Sequence, residues 1–509
     1  MNEKYSMKKI LIFIYSYLLL GAALASQDSP AHQLALRGIE LGTNLKYKEA
    51  YEVFQQLIEL EPENPRGYFL RSAIYFWMFS EDIKNEEVGN KFRDLSYEAV
   101  EIAEAKLEKD ENDIDARFYL GGAYGSLGRY YAMTRSFLNA YWYGKKGKNY
   151  LEEVVEMDST YYDAYLGLGI YHYLADILPR FVKILSFVLG IEGDKEQGIG
   201  EIKLAAEKGT YTKTEAMFFL AAIYTYREHK YEEAISIFNE ILEKYPQNPG
   251  ALFSLGRCYS NMGRCEEALK AYNQVLNNKE SQSRLPRGSI FYQLGEVYFS
   301  MNDISKAKNY YLLSIASDTA EVGKKRWVTP RSHLKVATCY EMLGEVESAK
   351  YHLQLIHEDD NERAYEEAQE RLENRLRDID MDLIVARNYK ECNQFELALN
   401  AYQEIKDKYA QSTDPDILSR LNQIDYRRAV IAFELEQYDS AIIQFEQIIE
   451  DTTNKNEWFF HWSYYYLGNC HKMLENFDSA KTAYDAAEDT DDDWLLARIE
   501  DERKDLPPK

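Results

Sequence analysis

An eightfold repeat of small and large side chains constrains this chain of 509 residues more than any other feature. In each copy an alanine is followed four residues later by a large side chain, which is aromatic in seven of the eight copies. A second small residue precedes each alanine by twelve positions, and an apolar residue precedes it by three. The alanines and their large partners are Ala50/Phe54, Ala234/Phe238, Ala268/Tyr272, Ala307/Tyr311, Ala349/Leu353, Ala398/Tyr402, Ala441/Phe445 and Ala480/Tyr484.

This spacing is typical of a hairpin of two packed helices. Small residues at the crossing let the helices approach closely, and the aromatic side chain four residues on fills the groove toward the next pair. Because one hairpin cannot bury both of its faces, successive copies must stack. The chain also exceeds the size at which a single hydrophobic core keeps growing. The sequence therefore predicts an all-α fold, a right-handed α-solenoid of about eleven helical hairpins.

The repeat resembles the tetratricopeptide repeat, whose signature has leucine, glycine, tyrosine, alanine and an aromatic residue at fixed offsets. One copy follows that signature closely through Leu255, Gly256, Tyr259, Ala268 and Tyr272. The resemblance implies a superhelix of hairpins. In members of the family that bind acidic chaperone tails, lysine and asparagine recur along the inner surface, whereas phenylalanine and tyrosine occupy the central positions here.

The spacing between repeats divides the chain. Leu120-Gly121 and Leu168-Gly169 resemble first helices whose second helices are displaced by insertions, and the charged run 358–377 suggests a long solvated helix. The predicted parts are a signal peptide (1–25), an irregular array with insertions (26–210), a regular array (211–357), a charged helical connector (358–378), a C-terminal array (379–490) and an acidic C-terminal helix and tail (491–509).

The first residues have the layout of a secretion signal. Lys4, Lys8 and Lys9 precede an apolar run over residues 10–20, and the small-residue site at 23–25 follows. We expect cleavage after Ala25 and export to the periplasm or the cell exterior. The alternative is an uncleaved anchor, but the run is shorter than the roughly 20 residues of a spanning helix. No later stretch is long and apolar enough to span a bilayer.

The formal charge of −25 bears on the partners. Binding of nucleic acid requires a basic surface that releases counterions, so we expect no nucleic-acid partner. Attraction to an anionic membrane is disfavoured for the same reason.

The least repeat-like segment is the insertion at 174–209, where Pro179 precedes an apolar stretch with Phe181, Phe187 and Leu189. Its layout is similar to a segment of the tetratricopeptide-39-like proteins, a eukaryotic family linked to organelle membranes and inclusion clearance. One interpretation is a helix packed inside the superhelix. The alternative is contact with lipid or another apolar ligand, through which the protein would associate peripherally with an envelope.

The first helix of each hairpin should line an inner groove with the residues three before, one after and four after its small anchor. Aromatic and arginine side chains at these positions are suited to gripping protein or peptide segments. Packing of the aromatic rings against the neighbouring repeat is the alternative. The candidate groove residues are Phe219, Tyr226, Phe253, Arg257, Tyr292, Phe299, Arg387, Tyr426, Phe433 and Tyr465.

The sequence contains no recognisable motif for catalysis or cofactor binding. It lacks a nucleophile elbow, a phosphate-binding glycine loop and a paired cysteine motif. We therefore expect a non-enzymatic scaffold without cofactor or metal. Asp489, Asp491, Asp493 and Glu500 imitate the spacing of a calcium loop, but Trp494 replaces the required glycine, so an acidic helix start is favoured. His352 and His357 are interpreted as surface residues.

Five cysteines cannot all pair within one chain. Cys258, Cys339 and Cys470 each follow the small anchor of a repeat by two residues, which indicates a shared packing position. Cys258 and Cys265 are close enough in sequence to meet across a helix turn.

Overall fold

The computed structural model describes residues 29–176, 193–278, 287–319, 328–359, 361–504 and 506–507. Within them the chain forms 24 α-helices, one short 3-10 helix and no strand. The predicted all-α class and the α-solenoid architecture are thereby confirmed. The predicted signal peptide, and residues 177–192 of the insertion with Pro179, Phe181, Phe187 and Leu189, lie outside the described residues.

The chain divides into two compact units. The first comprises residues 1–258 and 273–285, and the second comprises 259–272 and 286–509. The predicted connector at 358–378 therefore lies inside the second unit.

The first ten helices belong to the first unit, and the next two have residues in both. These twelve are α1 Pro30–Thr43, α2 Tyr47–Leu60, α3 Pro65–Glu81, α4 Glu86–Lys109, α5 Ile114–Met133, α6 Phe137–Met157, α7 Ala164–Asp176, α8 Lys195–Lys208, α9 Lys213–Tyr226, α10 Tyr231–Lys244, α11 Pro249–Asn261 and α12 Cys265–Asn277.

The remaining helices belong to the second unit. They are α13 Arg287–Ser300, α14 Ile304–Thr319, α15 Val328–Met342, α16 Val346–Gln354, α17 Glu362–Glu373, α18 Asp378–Glu391, α19 Phe395–Tyr409, α20 Pro415–Glu434, α21 Tyr438–Glu450, α22 Trp458–Met473, α23 Phe477–Ala487 and α24 Asp493–Lys504. Among the described residues, consecutive helices pair as hairpins, and α17 and α24 stand outside these pairs.

A residue in the left-handed backbone region reverses the chain in most hairpins. It always lies five residues before the repeat alanine, with φ between 54° and 78°. Only two of these residues are glycine, so the turn cannot be recognised from glycine content. The eight positions are Leu45, His229, Gly263, Asn302, Gly344, Asn393, Glu436 and Glu475.

The small anchor of the first helix lies against the aromatic ring of the second. A Cβ atom on Gly38 would lie 2.3 Å from the ring of Phe54, and one on Gly468 would lie 2.5 Å from Tyr484. Such distances are shorter than van der Waals contact, so the absence of a side chain at Gly38 and Gly468 leaves the space that each ring occupies. Tyr311 also shares a hydrophobic cluster with Val328 of the next hairpin, which agrees with the predicted groove filling.

The hairpin of α5 and α6 is a ninth copy of the repeat, with Ala140 as its repeat alanine. Arg135 has a φ of 59°, and Ala140 follows it by five residues. The position four residues after Ala140 is Gly144 instead of an aromatic residue, and a Cβ on Gly128 would lie 2.8 Å from its backbone nitrogen. The second helix follows directly after residues 134–136, so the predicted displacement of the helix after Gly121 is wrong. Two backbones in close contact replace the usual ring.

The charged run 358–377 is not a long solvated helix. It contains only the twelve-residue α17, which buries Ala364 and Ala368. Arg371 donates a hydrogen bond to the buried carboxylate of Glu341 and another, of 3.2 Å, to the hydroxyl of Thr338. Two alanines, about one helical turn apart, thus pack α17 against α15. The many charged residues around them make this pattern hard to recognise in the sequence.

Two hairpin turns in the second unit are joined covalently. Cys265 forms a disulfide with Cys392 across a sequence separation of 127 residues, so the suggested meeting of Cys258 with Cys265 is wrong. Beside this bond, the Asn393 side-chain amide donates a 2.6 Å hydrogen bond to the carbonyl of Met262. Cys258, Cys339 and Cys470 are buried free thiols, which confirms their predicted packing role. Burial raises the pKa of the Cys339 and Cys470 thiols to about 12.

Candidate protein-binding surface

Four of the ten candidate groove residues are buried and cannot line an open groove. Their side chains retain between 3% and 7% of their accessible surface. The groove prediction is therefore wrong for Tyr292, Phe299, Tyr426 and Tyr465.

Neighbouring helices of the second unit cover these rings. Tyr426 on α20 stacks on Phe459 of α22 with a centroid distance of 5.9 Å, and it also contacts Trp458. The ring centroids of Tyr465 and Tyr484 lie 6.3 Å apart, and Tyr465 belongs to a hydrophobic cluster with Leu495 and Ile499. Burial raises the pKa of both phenols above the ordinary value for tyrosine. The alternative interpretation, packing against the adjacent repeat, is correct for this unit.

Two further candidates in the second unit have different environments. Phe433 is half-buried, with its ring 5.3 Å from Tyr466 and 5.7 Å from Tyr438. Arg387 on α18 is exposed.

The accessible candidates of the first unit lie on α9 and α11. Tyr226, the last residue of α9, keeps 43% of its surface exposed. The Arg257 guanidinium of α11 lies over its ring at 4.7 Å from the centroid. Phe253 precedes Arg257 by one helical turn, and both are half-buried. An arginine stacked on an aromatic face keeps its N–H groups in a defined plane, suited to a carboxylate.

Phe219 on the same helix faces an arginine that sequence reasoning missed. Arg129 of α5 lies over the ring of Phe76 at 4.5 Å and over Phe219 at 5.6 Å, and it pairs with Glu215 at 3.2 Å. Arg129 follows Gly128 by one position, just as Arg257 follows Gly256. The ninth repeat at Ala140 was the signal that could have identified it.

Histidine placement differs from expectation. His352 is buried, and its Nδ1 lies 2.9 Å from Nδ1 of His333. Burial lowers the pKa of His333 to about 4, and the neighbouring His352 adds to the shift. His172 is also buried and pairs with Glu201 at 2.7 Å. The prediction that His352 is a surface residue is wrong.

The acidic C-terminal cluster is a helix start. Asp492 accepts hydrogen bonds from the backbone nitrogens of Trp494 and Leu495, at 2.9 and 3.2 Å, and so caps α24. Its other oxygen accepts from the indole of Trp462 at 3.0 Å. In the described part of the chain, no group of three histidine, cysteine or acidic residues is placed to hold a metal ion. Nor does any described helix combine the length and apolar character needed to cross a bilayer.

Paired helices with small residues at their crossings define the class of helical-repeat proteins. Family models described as tetratricopeptide repeat match residues 226–285 and 288–320. Residues 226–285 and 288–320 are accordingly tetratricopeptide repeats, which supports the resemblance to that superfamily.

Two relatives match shorter stretches. The chain is 29% identical over 83 residues to the TPR repeat-containing protein MJ0263 of Methanocaldococcus jannaschii, covering 16% of this chain and 26% of that protein. It is 29% identical over 128 residues to the tetratricopeptide repeat protein 21B of Mus musculus, covering 25% of this chain and 9% of that protein. The chain thus spans a minor part of the relatives it matches.

Solved structures of similar type include yeast Tom70, at 15% identity and a TM-score of 0.32 over 93% of this chain and 99% of that one. The Cut9 and Hcn1 assembly of the APC/C gives 16% identity and a TM-score of 0.24 over 96% of this chain and 93% of that one.

Proposed function

We propose that the protein is a non-enzymatic, exported scaffold that binds segments of other proteins on the accessible face of α9 and α11. The observation that carries the proposal is the stacked pair of Tyr226 and Arg257, which remains accessible, whereas Phe299 at the same repeat position as Tyr226 is buried. Tetratricopeptide repeats are typically protein-interaction scaffolds, which supports the general class.

The chemistry of the face favours a segment with an apolar side chain next to a carboxylate. Tyrosine and arginine dominate binding hot spots because they bury a large area at small entropic cost. Among the described residues, none accepts a hydrogen bond from the Arg257 guanidinium. Its donors are therefore available to a partner, and Phe253 one turn away offers apolar contact.

Two observations support export. The basic and apolar layout of the first 25 residues is that of a secretion signal. The disulfide between Cys265 and Cys392 is a bond that persists in oxidising compartments and is rare in the cytosol.

The test is an affinity capture from the envelope fraction of the source organism with three forms of the chain. The double variant Tyr226→Ala/Arg257→Ala removes the stacked pair, and Arg387→Ala removes an exposed arginine at the equivalent repeat position. We expect a partner that the unmodified chain and Arg387→Ala retain and the double variant loses. Retention of the same partner by all three forms would reject this surface.

A further inference from the structure

The net charge of the chain hides a local basic region. Residues 116–151 contain six arginines and lysines and no aspartate or glutamate, in a chain whose formal charge is −25. This stretch forms α5, the turn at Arg135 and the first part of α6. Charges more than about 8–10 Å away are largely screened at physiological salt, so a ligand at this turn experiences mainly its local charge.

The same turn exposes large apolar side chains. Phe137, Leu138 and Trp142 keep 62%, 66% and 53% of their surfaces accessible. With Tyr141 and Lys145 they follow the spacing of one helical face. The opposite face holds Gly144 and Gly147, which approach the backbone of α5. We call these five residues, 137, 138, 141, 142 and 145, the α6 stripe.

Two cations, Arg135 and Lys146, flank the α6 stripe, and a third, Lys145, belongs to it. Arg135 and Lys146 are exposed, and Lys145 donates a 3.2 Å hydrogen bond to the hydroxyl of Tyr141. In the described part of the chain, none of these three cations forms an ion pair. Lys148, one helical turn after Lys145, is by contrast paired with Glu152 at 2.6 Å.

We propose that the α6 stripe is a contact surface for membranes that contain anionic lipids, distinct from the protein-binding face of α9 and α11. Tryptophan, tyrosine and phenylalanine prefer the level of the lipid headgroups, where one end of the ring is apolar and the other wet. Lysine and arginine beside them reach anionic headgroups while their alkyl stems stay on the apolar surface. Three of the six cations, Arg117, Arg129 and Lys148, pair with carboxylates from outside this stretch, so the attraction to anionic headgroups rests on Arg135, Lys145 and Lys146.

The test is co-sedimentation with vesicles of phosphatidylcholine, with and without phosphatidylglycerol. The chain from residue 26 onward is used, because the apolar run before it would itself partition into lipid and the described fold begins at Ser29. We expect binding to the anionic vesicles that weakens with added salt. The variant Arg135→Gln/Lys145→Gln/Lys146→Gln should lose about a hundredfold in affinity, since each cation near an anionic surface contributes about fivefold.

The apolar variant Phe137→Ser/Leu138→Ser/Trp142→Ser should lose at least about tenfold, at an unchanged melting temperature. The matched control Leu397→Ser/Ile443→Ser/Trp494→Ser removes three equally exposed residues of the second unit and should bind like the unmodified chain. Failure of the unmodified chain to bind vesicles overturns the proposal. So does a lowered melting temperature of the apolar variant, because the stripe would then be covered by the chain's own residues.

Discussion

Aromatic residues at the same position of the repeat differ in burial between the two units. Three residues before the small anchor, Phe253 is half-buried in the first unit, whereas Tyr426 and Tyr465 are buried in the second. The sequence pattern is the same, but in the second unit the next helix places an aromatic ring of its own over the position, as Phe459 does over Tyr426. Position in the repeat therefore determines which way a ring points, and the neighbouring helix determines whether a partner can reach it.

The comparison predicts a large difference in stability. Tyr426→Ala should lower the free energy of unfolding by about 3–5 kcal/mol, because a buried aromatic ring is removed from a packed cluster. Tyr226→Ala should lower it by less than about 1 kcal/mol, since its ring is exposed. Denaturant unfolding of both variants measures the difference, and equal losses would mean that the two rings are equally buried.

The disulfide should stabilise the second unit selectively. In Cys265→Ser/Cys392→Ser we expect a loss of about 2–4 kcal/mol, because the bond restricts a long loop of the unfolded chain. Hydrogen exchange should increase in the second unit and stay unchanged around Tyr226. Hydrogen exchange that is the same with and without the disulfide in both units would contradict the selective stabilisation of the second unit.

The buried histidine pair should make the second unit sensitive to acid. The pKa of His333 is lowered to about 4, below its unfolded value of about 6.5, so the unfolded chain takes up a proton first. Stability is complete above about pH 6.5 and is lost as the pH falls toward 4, by about 2 kcal/mol at about pH 5. His333→Gln should flatten this dependence, measured as melting temperature against pH; an unchanged slope would exclude the pair as its origin.

The smallest effect on stability is expected at the binding face itself. Arg257→Ala should change the free energy of unfolding by less than about 0.5–1 kcal/mol, since the lost contact is a half-buried cation on an aromatic ring. Its melting temperature should match that of Arg387→Ala, although only Arg257→Ala is expected to lose the partner. A clear destabilisation would make Arg257 a structural residue.

Much of the fold could be predicted because the hairpin imposes a local rule. Gly468 stands where Tyr484 crosses, so the pairing of small and aromatic residues is visible in the sequence. The repeat at Ala140 could not be recognised in the sequence because two glycines, Gly128 and Gly144, replace the aromatic contact with a backbone contact. The disulfide escaped for a different reason, since Cys265 and Cys392 meet through stacking of several hairpins, which no local spacing encodes.

The candidate site was harder to predict. Repeat positions placed Tyr226 and Arg257 on an accessible face, yet they included Tyr292 and Phe299, whose exposure depends on side chains such as Val328 from the next hairpin. Arg129, which lies over the ring of Phe219, belongs to α5, four helices before α9 in the chain. Accessibility is a property of such distant packing, and a single repeat contains no information about it.

The central claim is that protein partners bind the first unit at Tyr226 and Arg257. The most direct test is site-specific photocrosslinking in the source envelope, with the crosslinking residue placed at Tyr226 in one chain and at the more exposed Ile443 of the second unit in another. We predict a discrete crosslinked partner from position 226 that Arg257→Ala abolishes, and none of that mass from position 443. The same partner from position 443, or none from position 226, would contradict the account.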